Sequence, residues 1–141
     1  MDFVTFKADR TEMDNVISFI NGLLEKNGWD ELFMPAIDIA AEEIFVNIAS
    51  YAYSDDYTGE RYARIECDVD ENRAGFIFAD AGMPYNPLER EDPDITLSAE
   101  GRGIGGLGIY IVKQSMDEVS YSYENGENRF GFVKNKPDFD F

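Results

Sequence analysis

Apolar residues along this chain recur with two different periods, and the changes of period divide it into elements. Phe3-Val4-Thr5-Phe6 reads as a first strand. Val16, Ile17, Ile20, Leu23 and Leu24 follow with helical spacing. Asp9 or Thr11 can cap that helix, which runs to about Lys26 with Gly28 beyond its end. A second helix follows Pro35, a residue suited to a first helical turn, and Ile37, Ala41, Ile44 and Ile48 form its stripe. Strand character returns over Arg61–Val69 and Ala74–Ala79, joined by the turn Asp70-Glu71-Asn72-Arg73. Asn86–Glu100 is polar, contains Pro87 and Pro93, and reads as a loop. A glycine-rich stretch from Gly101 to Gly108 then leads into a third helix ending near Met116. Val119–Tyr123 and Arg129–Val133 form a last hairpin around Asn125-Gly126. The order β-α-α-β-β-loop-α-β-β predicts an α+β fold: a two-layer α/β sandwich with a mixed, mainly antiparallel sheet and helices on one face. No repeat, linker or second domain interrupts the pattern, so residues 1–141 are expected to form one domain.

Composition narrows the chemistry. At 141 residues and 44% hydrophobic content, the chain can build a core without disulfides or metals. Cys67 is the only cysteine, so no intrachain disulfide is possible, and its alternating surroundings predict a small buried hydrophobe. A net charge of −17 argues against nucleic-acid binding by phosphate neutralisation. The chain contains no histidine, which excludes His–Asp triads, histidine-ligated zinc and autophosphorylation on an internal histidine. The N-terminus lacks a basic region followed by an apolar run, and no stretch approaches membrane-spanning length. A cytoplasmic protein with no membrane attachment is expected.

Three segments carry candidate chemistry. Glu43 and Asn47 are four apart on the second helix, so they share a face. An amide oxygen there can ligate Mg²⁺, and the carboxylate can orient or deprotonate a nucleophile. In the second segment the apolar strand Phe76-Ile77-Phe78-Ala79 ends in Asp80-Ala81-Gly82. A carboxylate at a strand end can accept a hydrogen bond from an exocyclic amine such as adenine N6, and glycine lets backbone approach a flat ring. The third segment, Gly101-Arg102-Gly103-Ile104-Gly105-Gly106-Leu107-Gly108, has five glycines in eight residues before a helix. Free backbone N–H groups at such a helix start suit phosphate. A dinucleotide-binding fingerprint is rejected because a polar loop, not a buried strand, precedes it. A Walker A motif fails because Gly-Lys-Ser/Thr occurs nowhere.

The order of these segments resembles the GHKL ATP-binding superfamily, which includes gyrase-type ATPases, chaperones and sensor histidine kinases. Within it the chain looks most like the anti-sigma-factor serine kinases, from the first strand to about Lys134. The stretch Gly105-Gly106-Leu107-Gly108-Ile109-Tyr110-Ile111-Val112-Lys113 and the box Asp80-Ala81-Gly82-Met83-Pro84-Tyr85-Asn86-Pro87 carry most of the likeness. The resemblance implies a Bergerat ATP-binding fold using ATP and Mg²⁺. Glu43 would be the general base acting on a substrate serine, and Asn47 the Mg²⁺ ligand. Asp80 would bind adenine N6 with Gly82 beside the ring. Gly103, Gly105, Gly106, Leu107 and Gly108 would form the phosphate loop, and Asn86–Glu100 part of a lid. The implied partners are a STAS-type anti-anti-sigma protein, a sigma factor and a second copy of the chain. Three departures stand out. Tyr51 occupies a position where the family often has histidine, and Arg102 lies upstream of the expected phosphate-binding arginine. No threonine falls in the last hairpin to support the adenine aspartate, where Asn128 is the available substitute. A non-catalytic ATP-gated binding module and a detached sensor-kinase catalytic domain are the alternatives, the latter disfavoured by the missing histidine and dimerisation helix.

Overall fold

A computed structural model describes residues 2–89 and 107–137. Strand β1 (Asp2–Lys7) leads through a 3₁₀ turn at Arg10–Glu12 into α1 (Met13–Lys26) and then α2 (Met34–Asn47). The Asp9 side chain accepts from the Thr11 N–H at 2.9 Å, so Asp9 caps that leading turn rather than α1 itself. Past the end of α1, Gly28 takes φ +83, the left-handed conformation that closes a helix with least strain in glycine. Pro35 lies in the first turn of α2, where its missing N–H costs no helical bond. Beyond Asn47 the helix widens into a π-helical segment, Ile48–Ala52.

Strands β2 (Tyr62–Val69) and β3 (Arg73–Asp80) form a hairpin whose turn is held by Asp70, which accepts from the N–H groups of Asn72 and Arg73. After a 3₁₀ turn at Pro87–Glu89, α3 (Leu107–Ser115) precedes the hairpin β4 (Glu118–Glu124) and β5 (Glu127–Asn135). Asn125 and Gly126 both have positive φ, the backbone that a two-residue hairpin turn requires. The sheet order is β1-β2-β3-β5-β4, and all four pairings are antiparallel. The α+β fold with an open sheet is thus as the sequence pattern predicts, and no parallel pairing occurs among the described residues.

Alternation along the strands sorts the two faces. Ile65, Phe76, Phe78 and Phe132 point to one side and are buried against Val16, Ile20 and Leu24 of α1 and Ile37, Ile44 and Phe45 of α2. Helix α2 packs against both α1 and α3, which explains why it buries Ala40 and Phe45 as well as its predicted stripe. Cys67 is buried, as its strand context predicts, and burial pushes its thiol up to about 12. The opposite face carries the ion pairs Arg64–Glu66 (3.1 Å), Arg64–Glu127 (2.7 Å) and Arg129–Glu66 (2.7 Å).

Asp80 ends the central strand and sits in phase with Ala74, Phe76 and Phe78, on the helix-covered face. The junction is tied to the end of α2 by Tyr53. Its hydroxyl donates to the Tyr62 carbonyl and accepts from the Tyr62 N–H at 3.1 Å and the Ala81 N–H at 3.0 Å. Burial pushes the Tyr53 phenol above its ordinary range, so it stays a neutral donor. Tyr53→Phe removes one partner from three backbone groups and is expected to destabilise the protein by about 1–3 kcal/mol in urea unfolding. An unchanged midpoint would show that water replaces the hydroxyl at no cost.

Candidate functional site

A cavity of about 650 Å³ opens between α2, the end of β3, the first turn of α3 and the β4–β5 hairpin. Glu43, Asn47, Asp80, Leu107 and Gly108 line it, so residues far apart in sequence meet there, while Gly82 is not part of the lining. Tyr51, Met83, Tyr85, Tyr121, Asn128 and Phe130 are also on the wall. Tyr51 is 78% exposed and Met83 is 69% exposed, which leaves an apolar rim open to a ligand. Arg102, Gly103, Gly105 and Gly106 lie outside the described residues, as does the segment from residue 90 to residue 100.

Glu43 and Asn47 act on each other one helical turn apart. The Asn47 amide nitrogen donates to Glu43 Oε1 at 3.1 Å. A carboxylate offers no donor, so the NH₂ group must face it, and the Asn47 oxygen is turned away as a free acceptor for a cation. Among the described residues no group of three or more acidic, cysteine or histidine side chains could hold a metal. A Mg²⁺ ion bound through Asn47 would therefore draw its other oxygens from water and a ligand, the usual habit of that ion.

Gly108 explains how Glu43 fits. A Cβ at Gly108 would lie 2.0 Å from Glu43 Cδ and 2.1 Å from Oε1. The carboxylate rests on bare backbone in the first turn of α3, where the positive end of the helix dipole favours an anion.

Asp80 is only 5% exposed. Its Oδ1 accepts from the Gly82 N–H at 2.9 Å and from the Asn128 amide at 3.0 Å. Burial raises its pKa above the usual carboxylate value, with the Asn128 and Gly82 hydrogen bonds opposing that rise. The Asp80 carboxylate lines the cavity and can accept a further hydrogen bond there. Gly82 makes a close approach within the chain itself. A Cβ there would lie 2.1 Å from the Ala52 carbonyl oxygen, which accepts from the Met83 N–H at 3.1 Å.

Residues 6–134 match the Histidine kinase-like ATPase domain. The chain belongs to the histidine kinase-like ATPase domain family. It is 29% identical over 133 residues to Serine-protein kinase RsbW of Bacillus licheniformis, covering 89% of this chain and 81% of that protein. It is 27% identical over 112 residues to Serine-protein kinase RsbW of Bacillus subtilis, covering 76% and 68% respectively. A solved structure of the RsbU and RsbW domains of a Mycobacterium tuberculosis protein is similar in fold, with a TM-score of 0.64 at 12% identity. That likeness covers 97% of this chain and 34% of the solved one, so the chain spans about a third of it.

Within this histidine kinase-like domain, sequence reasoning missed Tyr53 and Tyr121. No period marks Tyr53, because it follows a π-helical segment. Asn128 had a legible signal: it lies in phase with the buried Phe130 and Phe132, so a polar group was due to be buried. Gly108→Ala places a Cβ where the Glu43 carboxylate lies. The same change must displace the Glu43 carboxylate and break its bond to Asn47. The Asn47 side-chain amide signal in nitrogen-15 NMR reads this directly, and an unmoved signal would refute the packing.

Proposed function

We propose that residues 1–141 form one ATP-binding domain that phosphorylates a serine on a STAS-type anti-anti-sigma protein and sequesters a sigma factor. The cavity that gathers Glu43, Asn47 and Asp80 around the first turn of α3 is the observation that carries this reading. The protein works as a homodimer in the cytoplasm and regulates transcription without touching nucleic acid. No helix among the described residues is long and apolar enough to cross a membrane.

In this reading Asp80 accepts a hydrogen bond from adenine N6, and the apolar rim at Tyr51 and Met83 covers the nucleoside. Gly103, Gly105, Gly106, Leu107 and Gly108 supply backbone to the phosphates. The Asn47 amide oxygen would hold Mg²⁺, which when bound would supply charge neutralisation at the phosphates. Glu43 takes the proton from the serine hydroxyl as the serine oxygen bonds to the γ-phosphorus. The bond from that phosphorus to the bridging oxygen breaks, and ADP departs with the electron pair. Positioning supplies most of the acceleration, because the group transferred needs little covalent help from protein.

Asp80→Asn places an amide opposite the adenine amine. Loss of a hydrogen bond to a charged group costs roughly 1.5–3 kcal/mol, so ATP affinity should fall at least about tenfold by calorimetry. GTP should bind poorly to the native protein because it offers an oxygen where adenine offers an amine. Equal ATP affinity in native protein and variant would remove Asp80 from the base site.

Glu43→Ala should abolish phosphate transfer to a STAS partner while ATP still binds, because removing a general base costs about 10²–10⁴ in rate. Glu42 is exposed and lies about 100° around the helix, so Glu42→Ala should retain most activity. Full activity in the Glu43 variant would sink the assignment. Tight ATP binding by the native protein with no transfer to any partner would favour a non-catalytic, ATP-gated binding module.

A further inference from the structure

One side chain joins the base-reading carboxylate to the chain that leaves it. Asn128 is 6% exposed and stands opposite Asp80 in the β3–β5 register. Its amide nitrogen has two protons and two close acceptors: Asp80 Oδ1 at 3.0 Å and the Met83 carbonyl at 2.9 Å. The Gly82 carbonyl lies farther away, at 3.4 Å. Its amide oxygen accepts from the Tyr85 N–H at 3.0 Å and from the Tyr121 hydroxyl. Every polar site of the amide is therefore engaged, by β3, by the turn at residues 82–85 and by β4.

That saturation decides the orientation of both groups. The Tyr85 N–H and the Tyr121 hydroxyl fix the Asn128 oxygen on their side, which turns the NH₂ toward Asp80. With Oδ1 already taken by Asn128 and the Gly82 N–H, the carboxylate has its other oxygen for a ligand. A buried carboxylate lacking these donors would rotate or take a proton, and would no longer present a fixed acceptor.

We infer that Asn128 is a specificity-determining positioning residue: its amide locks Asp80 in the orientation that selects a purine bearing an exocyclic amine, and fixes the turn at Met83–Tyr85 with the same bonds. This deepens the ATP reading above and rests on it. A shorter side chain reaching Asp80 alone would support the carboxylate but leave the Tyr85 N–H and the Met83 carbonyl without this partner. Asn128 combines both tasks in one planar group.

The test compares binding of ATP and of purine riboside triphosphate, which lacks the amine, by calorimetry at pH 8. Asn128→Leu roughly keeps the volume and deletes both donors. Asn128→Ala deletes the whole amide and serves if the branched apolar side chain prevents folding. The native protein should favour ATP by about tenfold or more, and the preference should shrink to within about twofold in either variant, as expected when a hydrogen bond to a charged group is lost. A merely structural role would weaken both ligands equally and preserve the ratio, and that result overturns the inference. A native protein that binds both nucleotides equally would instead overturn the adenine reading itself, and the inference with it.

Discussion

A carboxylate buried at the end of the central strand has to be held by donors, and much of this structure serves that requirement. Asp80 continues the buried row of Phe76 and Phe78, where water cannot solvate a charge. The Gly82 N–H and the Asn128 amide supply the missing solvation on one oxygen. Meeting those bonds forces the chain to turn sharply after β3, against Ala52, at a residue with no side chain. The same bonds determine which strand must lie next to β3, since only β5 brings an amide opposite Asp80.

Helix α2 is the second organising element. It packs on the sheet and touches both neighbouring helices, so its length and position are set by burial on several sides. One turn of it carries Glu43 and Asn47, and the π-helical segment beyond carries Ala52 and Tyr53. The Ala52 carbonyl and the Tyr53 hydroxyl both bind the backbone after β3. The acid–amide pair and the buried carboxylate are thus parts of one rigid frame rather than of separate loops. A π-helical turn widens the backbone at this point, a feature that often marks functional sites.

The sheet face away from the helices has a different character. Glu66 is shared between Arg64 and Arg129, and Arg64 also pairs with Glu127. The neighbouring arginines hold both glutamates below the usual carboxylate range. Gly131 leaves room for Ser120 across the pair, because a Cβ there would lie 2.8 Å from its hydroxyl oxygen. These pairs cross three strands and bind the β2–β3 hairpin to the β4–β5 hairpin, so the polar face contributes to the register that places Asn128.

The sequence by itself determined the element order, because each element's burial is written in its own period: Val16, Ile20 and Leu24 at helical spacing, and Phe130 and Phe132 at strand spacing. It also marked the candidate chemistry, since Glu43 with Asn47 and Asp80 with Gly82 are local patterns. The tertiary structure alone decided what those residues do to each other. The Asn47 amide is oriented by a carboxylate on its own helix, but that carboxylate fits only because Gly108 arrives from another helix. In the sequence Gly82 is only a glycine two residues after a strand-end aspartate, whereas the contact that excludes a side chain there comes from Ala52, thirty residues earlier. Tyr53 and Tyr121 carried no local mark, because their hydroxyls act across strands and their rings are unremarkable in any window. Periodicity records which side of an element is buried, and it holds no information about which distant backbone group will arrive there.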